Sequence, residues 1–373
     1  MTVFAVVTGG GTAGHVLPAL AVAEALVAAG QEPDEIHYVG SERGIETRLL
    51  PETPYGHTFF DVVGFQRSLS RRNLGFVPKM LAARRAAVAL LRDLAPRVVV
   101  SVGGYASMPA VLAARKLEIP IVVVSYDFVP GRASRLAARR AAACAVAFDD
   151  SPLPNAIVTG APVRQEVLRV DRGADRDTAR ERLGVPGDRF LVAAMGGSLG
   201  SGVLNGAIAE YARERRDDGD LAIRQVAGER FVDTVGTVGS GGEAGLLHQV
   251  IGYEEDMPAV YAAADLLIGR GGASTVHEVA VTGIPAVLVP WSGAAEDHQS
   301  ENVRWLADVG GAVMLGEAEI GGPGGLAATI ERLRGSESER AALSAAAHRR
   351  GEIHRSGAMA DLIERVALAS SEK

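Results

Sequence analysis

Three glycine-rich stretches carry the chemistry of this sequence. They are Gly9-Gly10-Gly11-Thr12-Ala13-Gly14, Gly196-Gly197-Ser198-Leu199-Gly200-Ser201-Gly202 and Gly269-Arg270-Gly271-Gly272-Ala273-Ser274-Thr275. Each follows a short apolar run and precedes a helical pattern. Glycine lets a backbone turn sharply and approach a phosphate, and a helix N-terminus favours an anion. Three such turns in one chain point to a phosphate or nucleotide ligand. No GxxxxGK[ST] string occurs, which argues against a P-loop NTPase. Gly9-x-Gly11-x-x-Gly14 has the form of a dinucleotide fingerprint, but the acidic residue that would hold a ribose, Glu42, lies somewhat far along the chain. His15 directly follows the first turn. A helix start disfavours the imidazolium, so a neutral ring able to accept a proton is expected there.

Such turns need strands before them and helices after them. Residues 3–7 form a short apolar run and 15–29 the helix that follows. Residues 36–39, 97–102 and 121–124 are further runs, with a helical segment at 108–116. The pattern restarts at 190–195 and continues through 221–226, 266–268 and 286–289, with a helix at 276–281 after the third turn. Apolar runs alternating with helices predict parallel strands buried on both faces. The fold class is therefore α/β, with two Rossmann-like, doubly wound halves. We expect an N-terminal domain over 1–163, a C-terminal domain over 164–340, and a helical tail over 341–373 packing back toward the N-terminal domain. Ligands of such sheets bind at the carboxyl ends of the strands.

Composition narrows the function. The 373 residues suggest two domains. The single cysteine, Cys144, argues against a disulfide framework and any CxxC site, and reads as a small apolar core residue of a reduced, cytoplasmic protein. The net charge of −7 and the 5% aromatic content argue against nucleic-acid binding. The acid is concentrated after residue 163, and the first half carries a small excess of cations. No run has the length of a transmembrane helix, and the N-terminus shows no basic signal region. The Asp218-Gly219-Asp220 string reads as a solvated turn rather than a metal–nucleotide site, and no metal is expected. The segment 64–80 mixes Arg67, Arg71, Arg72 and Lys79 with Phe65 and other apolar residues. That mixture suits anionic lipid headgroups.

The ordered set of motifs resembles one family. Gly10-Gly11-Thr12-Ala13-Gly14-His15-Val16-Leu17-Pro18-Ala19-Leu20-Ala21 resembles the opening signature of the MurG family, GT-B glycosyltransferases of family 28. Val39-Gly40-Ser41 with Gly44-Ile45-Glu46, then 103–107, 129–135 and 160–164, keep the family's order. So do Gly196-Gly197-Ser198 with Leu204-Asn205, Asp256-Met257 with 261–265, 270–278, and Asp297-His298-Gln299 with Asn302. The resemblance implies two Rossmann-like domains facing a cleft. It implies inverting transfer of N-acetylglucosamine from UDP-N-acetylglucosamine to undecaprenyl-linked lipid I, giving lipid II of peptidoglycan. It also implies a peripheral protein on the cytoplasmic membrane face, with no cofactor beyond the sugar-nucleotide substrate.

Residue roles follow by the same resemblance. His15 and Asp127 are the candidate catalytic residues. Thr12, Ala13, Gly14, Asp127, Arg164, Ser198, Arg270, Ala273, Ser274, Thr275, Val276, His277, Glu278, His298 and Gln299 are expected to meet the donor. Glu278 would accept the ribose hydroxyls, and Gln299, with both donor and acceptor, suits a sugar. Phe65, Arg67, Arg71, Arg72, Gly104 and Tyr105 are assigned to the acceptor and membrane side. The chain departs from the family at four places: Ser125 stands for Glu, Asp127 for Asn, Leu199 for Gln, and Glu254 for an aliphatic residue near the uracil. Alternatives are a paralogue with another acceptor or reduced catalysis, and a UDP-N-acetylglucosamine epimerase on the same architecture.

Overall fold

The computed structural model describes residues 3–62, 76–197, 200–238, 245–294 and 297–369. Two compact units form: Met1–Gln165 with Ile353–Lys373, and Glu166–Glu352.

The first unit is a parallel sheet of seven strands: β1 (Ala5–Gly9), β2 (Ile36–Ser41), β3 (Gly56–Phe60), β4 (Val98–Gly103), β5 (Ile121–Ser125), β6 (Ala143–Val146) and β7 (Ala156–Val158). Its helices are α1 (Ala13–Ala28), α2 (Glu46–Leu49), α3 (Phe76–Leu94), α4 (Met108–Leu117) and α5 (Arg132–Ala138). The strand order is β3-β2-β1-β4-β5-β6-β7. From β1 the chain builds outward to β3, then returns to lay β4 on the other side of β1. That reversal is the topological switch point, where the strand ends leave a crevice. A slip in register between Thr8 and Gly9 sets Gly9 opposite Gly103, so the turns after β1 and β4 adjoin. β1, β4 and β5 are buried at every position, as strands covered on both faces must be.

The second unit repeats the plan with six strands: β8 (Phe190–Met195), β9 (Leu221–Val226), β10 (Leu247–Ile251), β11 (Leu266–Arg270), β12 (Ala286–Val289) and β13 (Val313–Met314), ordered β10-β9-β8-β11-β12-β13. Its helices are α6 (Gln165–Leu168), α7 (Arg172–Leu183), α8 (Gly202–Glu214), α9 (Val232–Val235), α10 (Met257–Ala263), α11 (Ala273–Thr282), α12 (His298–Ala307), α13 (Leu326–Gly335) and α14 (Glu337–Gly351). The switch point lies between β8 and β11, and these are the strands that the second and third glycine turns follow.

The helical tail divides. The helix α14 belongs to the second unit, and after the short turn Glu352–Arg355 a last helix, α15 (Ala358–Ala369), belongs to the first and packs on α1, β4 and β6. Cys144 lies in β6, fully buried, and burial pushes its thiol up to about 11.

Candidate functional site

In the first unit the glycine turn leads from β1 into α1, with Thr12 as the residue before the helix. His15 stands in the first helical turn, its Nδ1 3.2 Å from Thr12 Oγ1. Burial holds the imidazole below its ordinary 6.5, against the opposing pull of the Asp127 and Glu46 carboxylates. The ring is therefore neutral at pH 7. Two tyrosines brace the turn. The Tyr38 hydroxyl donates to the Gly9 carbonyl at 2.7 Å, and the Tyr126 hydroxyl donates to the Gly14 carbonyl. Burial raises both phenols above the usual range, so both remain donors. Asp127 follows Tyr126 just past β5.

The turn after β4 closes on the same place. Gly104 has φ +76°, and a Cβ there would stand 2.5 Å from the Gly10 carbonyl oxygen, so only glycine fits. A Cβ on Gly11 would stand 2.6 Å from the Tyr105 ring. The structure thus brings Thr12, Gly14, His15, Gly104, Tyr105 and Asp127 together, with Ala13 opening the helix.

In the second unit the third glycine turn opens α11 at Ala273 rather than at 276. Ala273, Ser274 and Thr275 form its first turn, whose amides have no acceptor within the helix. These are the groups that a diphosphate needs. Glu278 stands one turn further on. Its Oε2 accepts the Tyr261 hydroxyl at 2.5 Å, and Tyr261 is fully buried. Burial, and then the Glu278 charge, raise the Tyr261 phenol well above 10, so it stays a donor and holds the carboxylate in one orientation. His298 and Gln299 open α12. Gln299 Oε1 accepts the Trp291 N–H at 2.9 Å, which turns its amide nitrogen away from that contact. Asn302 Nδ2 donates to the Gly271 carbonyl at 3.3 Å and ties α12 to the turn.

For several of the expected residues the structure shows other partners, and for the side chains of Val276 and His277 it corrects the expectation. Arg270 is buried and its charge is already met. Its Nη2 lies 2.6 Å from both Ser201 Oγ and Glu317 Oε1, and Nη1 faces the carbonyls of Val289 and Pro290. Glu317 in turn accepts the Ser292 amide at 3.1 Å and the Ser292 hydroxyl. Arg270 is thus a clamp joining the ends of β11 and β12 to the start of α8. Val276 and His277 face the interior, because helical periodicity turns 276, 277 and 280 inward while 274, 275 and 278 stay at the surface. His277 is 1% exposed and meets Trp305 edge to face at 5.2 Å. The side chains of Val276 and His277 therefore do not reach a donor. Arg164 binds Glu24 of α1 at 2.7 Å, and the other oxygen of Glu24 accepts the Gln165 amide, so Arg164 fixes the chain where it leaves the first unit. The Asp218-Gly219-Asp220 string lies in a turn, with Asp220 exposed and Asp218 half-buried. Arg334 of α13 grips both of its oxygens and holds its carboxyl below the usual range. Glu254 is buried in an ion pair with Arg224 at 2.6 Å and also accepts the Asp256 amide. Phe65, Arg67, Arg71, Arg72, Ser198 and Leu199 lie outside the described residues.

Sequence reasoning attached no role to Tyr38, Glu46, Tyr126, Ser201, Tyr261 and Glu317. Glu46, two residues after Gly44, Ser201 and Tyr261 left a signal, since each lies in a motif stretch.

Two parallel α/β units, each with glycine turns at a switch point, have the architecture of the GT-B glycosyltransferases. The crystal structure of Acinetobacter baumannii MurG superposes with a TM-score of 0.68, at 26% identity over 98% of this chain and 99% of that one. LpCGTa in complex with UDP shares the fold alone, with a TM-score of 0.64 at 14% identity. Residues 5–146 match the glycosyltransferase family 28 N-terminal domain, and 191–364 match the family's C-terminal domain. The chain belongs to glycosyltransferase family 28. It is 34% identical over 372 residues to the UDP-N-acetylglucosamine–N-acetylmuramyl-(pentapeptide) pyrophosphoryl-undecaprenol N-acetylglucosamine transferase of Desulforudis audaxviator, covering 97% of this chain and 98% of that protein. The like-named enzyme of Clavibacter sepedonicus is 37% identical over 376 residues, covering 99% and 98%.

Proposed function

We propose that this protein transfers N-acetylglucosamine from UDP-N-acetylglucosamine to lipid I, forming lipid II. The observation that carries the reading is the near-full-length match to transferases whose names state both substrates. In this reading the second unit takes the sugar nucleotide and the first takes the acceptor. The amides of Ala273, Ser274 and Thr275, with the α8 N-terminus, meet the charge of the diphosphate. Glu278, aimed by Tyr261, accepts the ribose hydroxyls, and Gln299 with His298 meets the sugar. No metal or cofactor enters this reading, because the helix starts meet the leaving-group charge.

His15 is the base. The reading takes the tautomer in which Nδ1–H donates to Thr12 Oγ1 and the lone pair is at Nε2, which has no hydrogen-bond partner among the described residues. Nε2 takes the proton of the acceptor hydroxyl as its oxygen bonds to the anomeric carbon. The bond from that carbon to UDP breaks, UDP leaves with the electron pair, and the configuration inverts. Asp127 supports the imidazolium as it forms.

In this reading the protein is peripheral on the cytoplasmic membrane face. Leu81, Arg84, Arg85, Val88 and Arg92 of α3, with Lys116 of α4, line a groove of about 360 Å³. Cations around an apolar floor suit anionic headgroups. No helix among the described residues is long and apolar enough to cross a membrane.

The test is UDP release from UDP-N-acetylglucosamine, with and without a soluble lipid I analogue. Release that requires the analogue, and falls about a hundredfold in His15→Ala, supports the transferase. Release without any acceptor would favour the epimerase. Donor binding without release under either condition would leave a paralogue.

A further inference from the structure

Glu46 is a fully buried carboxylate at the glycine turn, with no role assigned so far. Its Oε1 accepts the Ser41 N–H at 2.8 Å and the Gly11 N–H at 3.1 Å, and Oε2 lies 3.4 Å from the same Gly11 nitrogen. One side chain therefore joins the end of β2 to the turn after β1. Three glycines make the room for it. A Cβ would stand 1.8 Å from Oε2 at Gly44, 2.4 Å from Oε1 at Gly10 and 2.9 Å from Cγ at Gly40. A buried charge persists only where donors meet it, and here backbone amides do so. Of these amides, that of Gly11 belongs to the turn that leads into His15 and that of Ser41 to the end of β2.

We propose that Glu46 is the positioning residue of the first-unit site: its carboxylate fixes the Gly10-Gly11 turn, and through it the His15 ring, and acts electrostatically on that ring. This rests on the reading of His15 as the base. The groups around His15 are the Thr12 hydroxyl from the start of α1, Glu46 from α2, the Gly103-Gly104 backbone after β4, and Tyr126 and Asp127 after β5. Glu46 and Asp127 are the carboxylates that favour the imidazolium. Asp127 stands by the ring after β5, whereas Glu46 is bonded into the turn itself.

The experiment measures the His15 ring protons by NMR against pH, with kcat and KM, in wild type, Glu46→Gln and Glu46→Asp. Glu46→Gln keeps the volume, removes the charge and sets an NH2 against an N–H donor. Its His15 midpoint is expected to move down by several tenths of a pH unit or more, and kcat to fall about tenfold while KM for UDP-N-acetylglucosamine stays within about twofold. Glu46→Asp keeps the charge but falls one methylene short. It should hold the midpoint near wild type and recover only part of kcat. An unmoved midpoint in folded Glu46→Gln would overturn the proposal, as would wild-type kcat in that variant with only a lowered Tm. Should Glu46→Gln fail to fold, wild-type kcat in Glu46→Asp overturns it and a reduced kcat supports it. His15→Ala is run alongside. Full turnover there would sink the reading of His15 as base, while the titration would still decide what Glu46 does to the ring.

Discussion

On the proposed reading of His15 as the base, its protonation sets the acid side of the reaction at the residue scale. Burial places its folded pKa below 6.5, while the unfolded chain takes its proton near that value. The neutral base is present at pH 7 and is lost as pH falls through the folded value, so kcat should show an acid limb below pH 6.5. Stability shifts the same way, because the unfolded state binds the proton first as pH drops. Asp127→Asn removes a carboxylate that favours the imidazolium. The limb should then move to lower pH, as a kcat–pH profile will show. An unmoved limb would mean that the limb reports some group other than His15. On the donor side, Tyr261→Phe removes the bond that aims Glu278. KM for UDP-N-acetylglucosamine should rise a few-fold, with a stability cost of about 1 kcal/mol. Glu278→Gln should raise it further, as steady-state kinetics on the two variants will show.

Loops at the strand ends act together at the scale of elements. The Ser201–Arg270–Glu317–Ser292 network joins the start of α8, the ends of β11 and β12, and the segment after β13. Ser201 also caps α8 through the Leu204 amide at 3.3 Å. Ser201→Ala should cost about 1 kcal/mol as a lost cap. Glu317→Ala leaves the Arg270 charge buried without its partner and should cost about 3–5 kcal/mol. Urea unfolding of the two variants checks the order, and equal costs would show that the ion pair is not what holds the loops. The glycine turns are legible in the sequence because their signal is local: a strand, a few glycines and a helix within a dozen residues. The long, apolar strands are legible for the same reason. Their neighbours are not. The β6 strand is built around Ala143 and Cys144, which have little preference for strands, and β10 carries His248 and Gln249 among its apolar residues. Arg270 reads as a phosphate ligand from its place beside the third turn, because its partner Glu317 lies 47 residues away. His277 reads as part of a motif until the helix phase turns it onto Trp305. Distant pairing and helix phase are tertiary facts, and the residues that misled are those whose function depends on them.

The whole molecule is built from a chain that leaves its first unit at Gln165, completes the second by Glu352 and then returns. The returning helix α15 buries Met359, Leu362 and Ile363, together with Ala360 and Ala367, and it packs on α1, the helix that carries His15. Each fully buried Met, Leu or Ile contributes about 1.5–3 kcal/mol, so three contribute roughly 5–9 kcal/mol. That is comparable to the whole stability of a typical domain, about 5–15 kcal/mol. His354 adds a polar tie, its Nδ1 accepting the Ala161 amide at 2.8 Å. Deleting residues 353–373 should therefore unfold the first unit and spare the second, although no residue assigned to chemistry is removed. The truncated chain should lose turnover while still binding UDP, and calorimetry should show one remaining transition. Retention of both transitions would mean that the first unit does not depend on its returning helix. Leu362→Ala is the milder form of the same test, with an expected loss of about 2–5 kcal/mol confined to the first unit. Its effect on turnover should follow the fraction of that unit still folded at the assay temperature, which separates a stability defect from a change at the site.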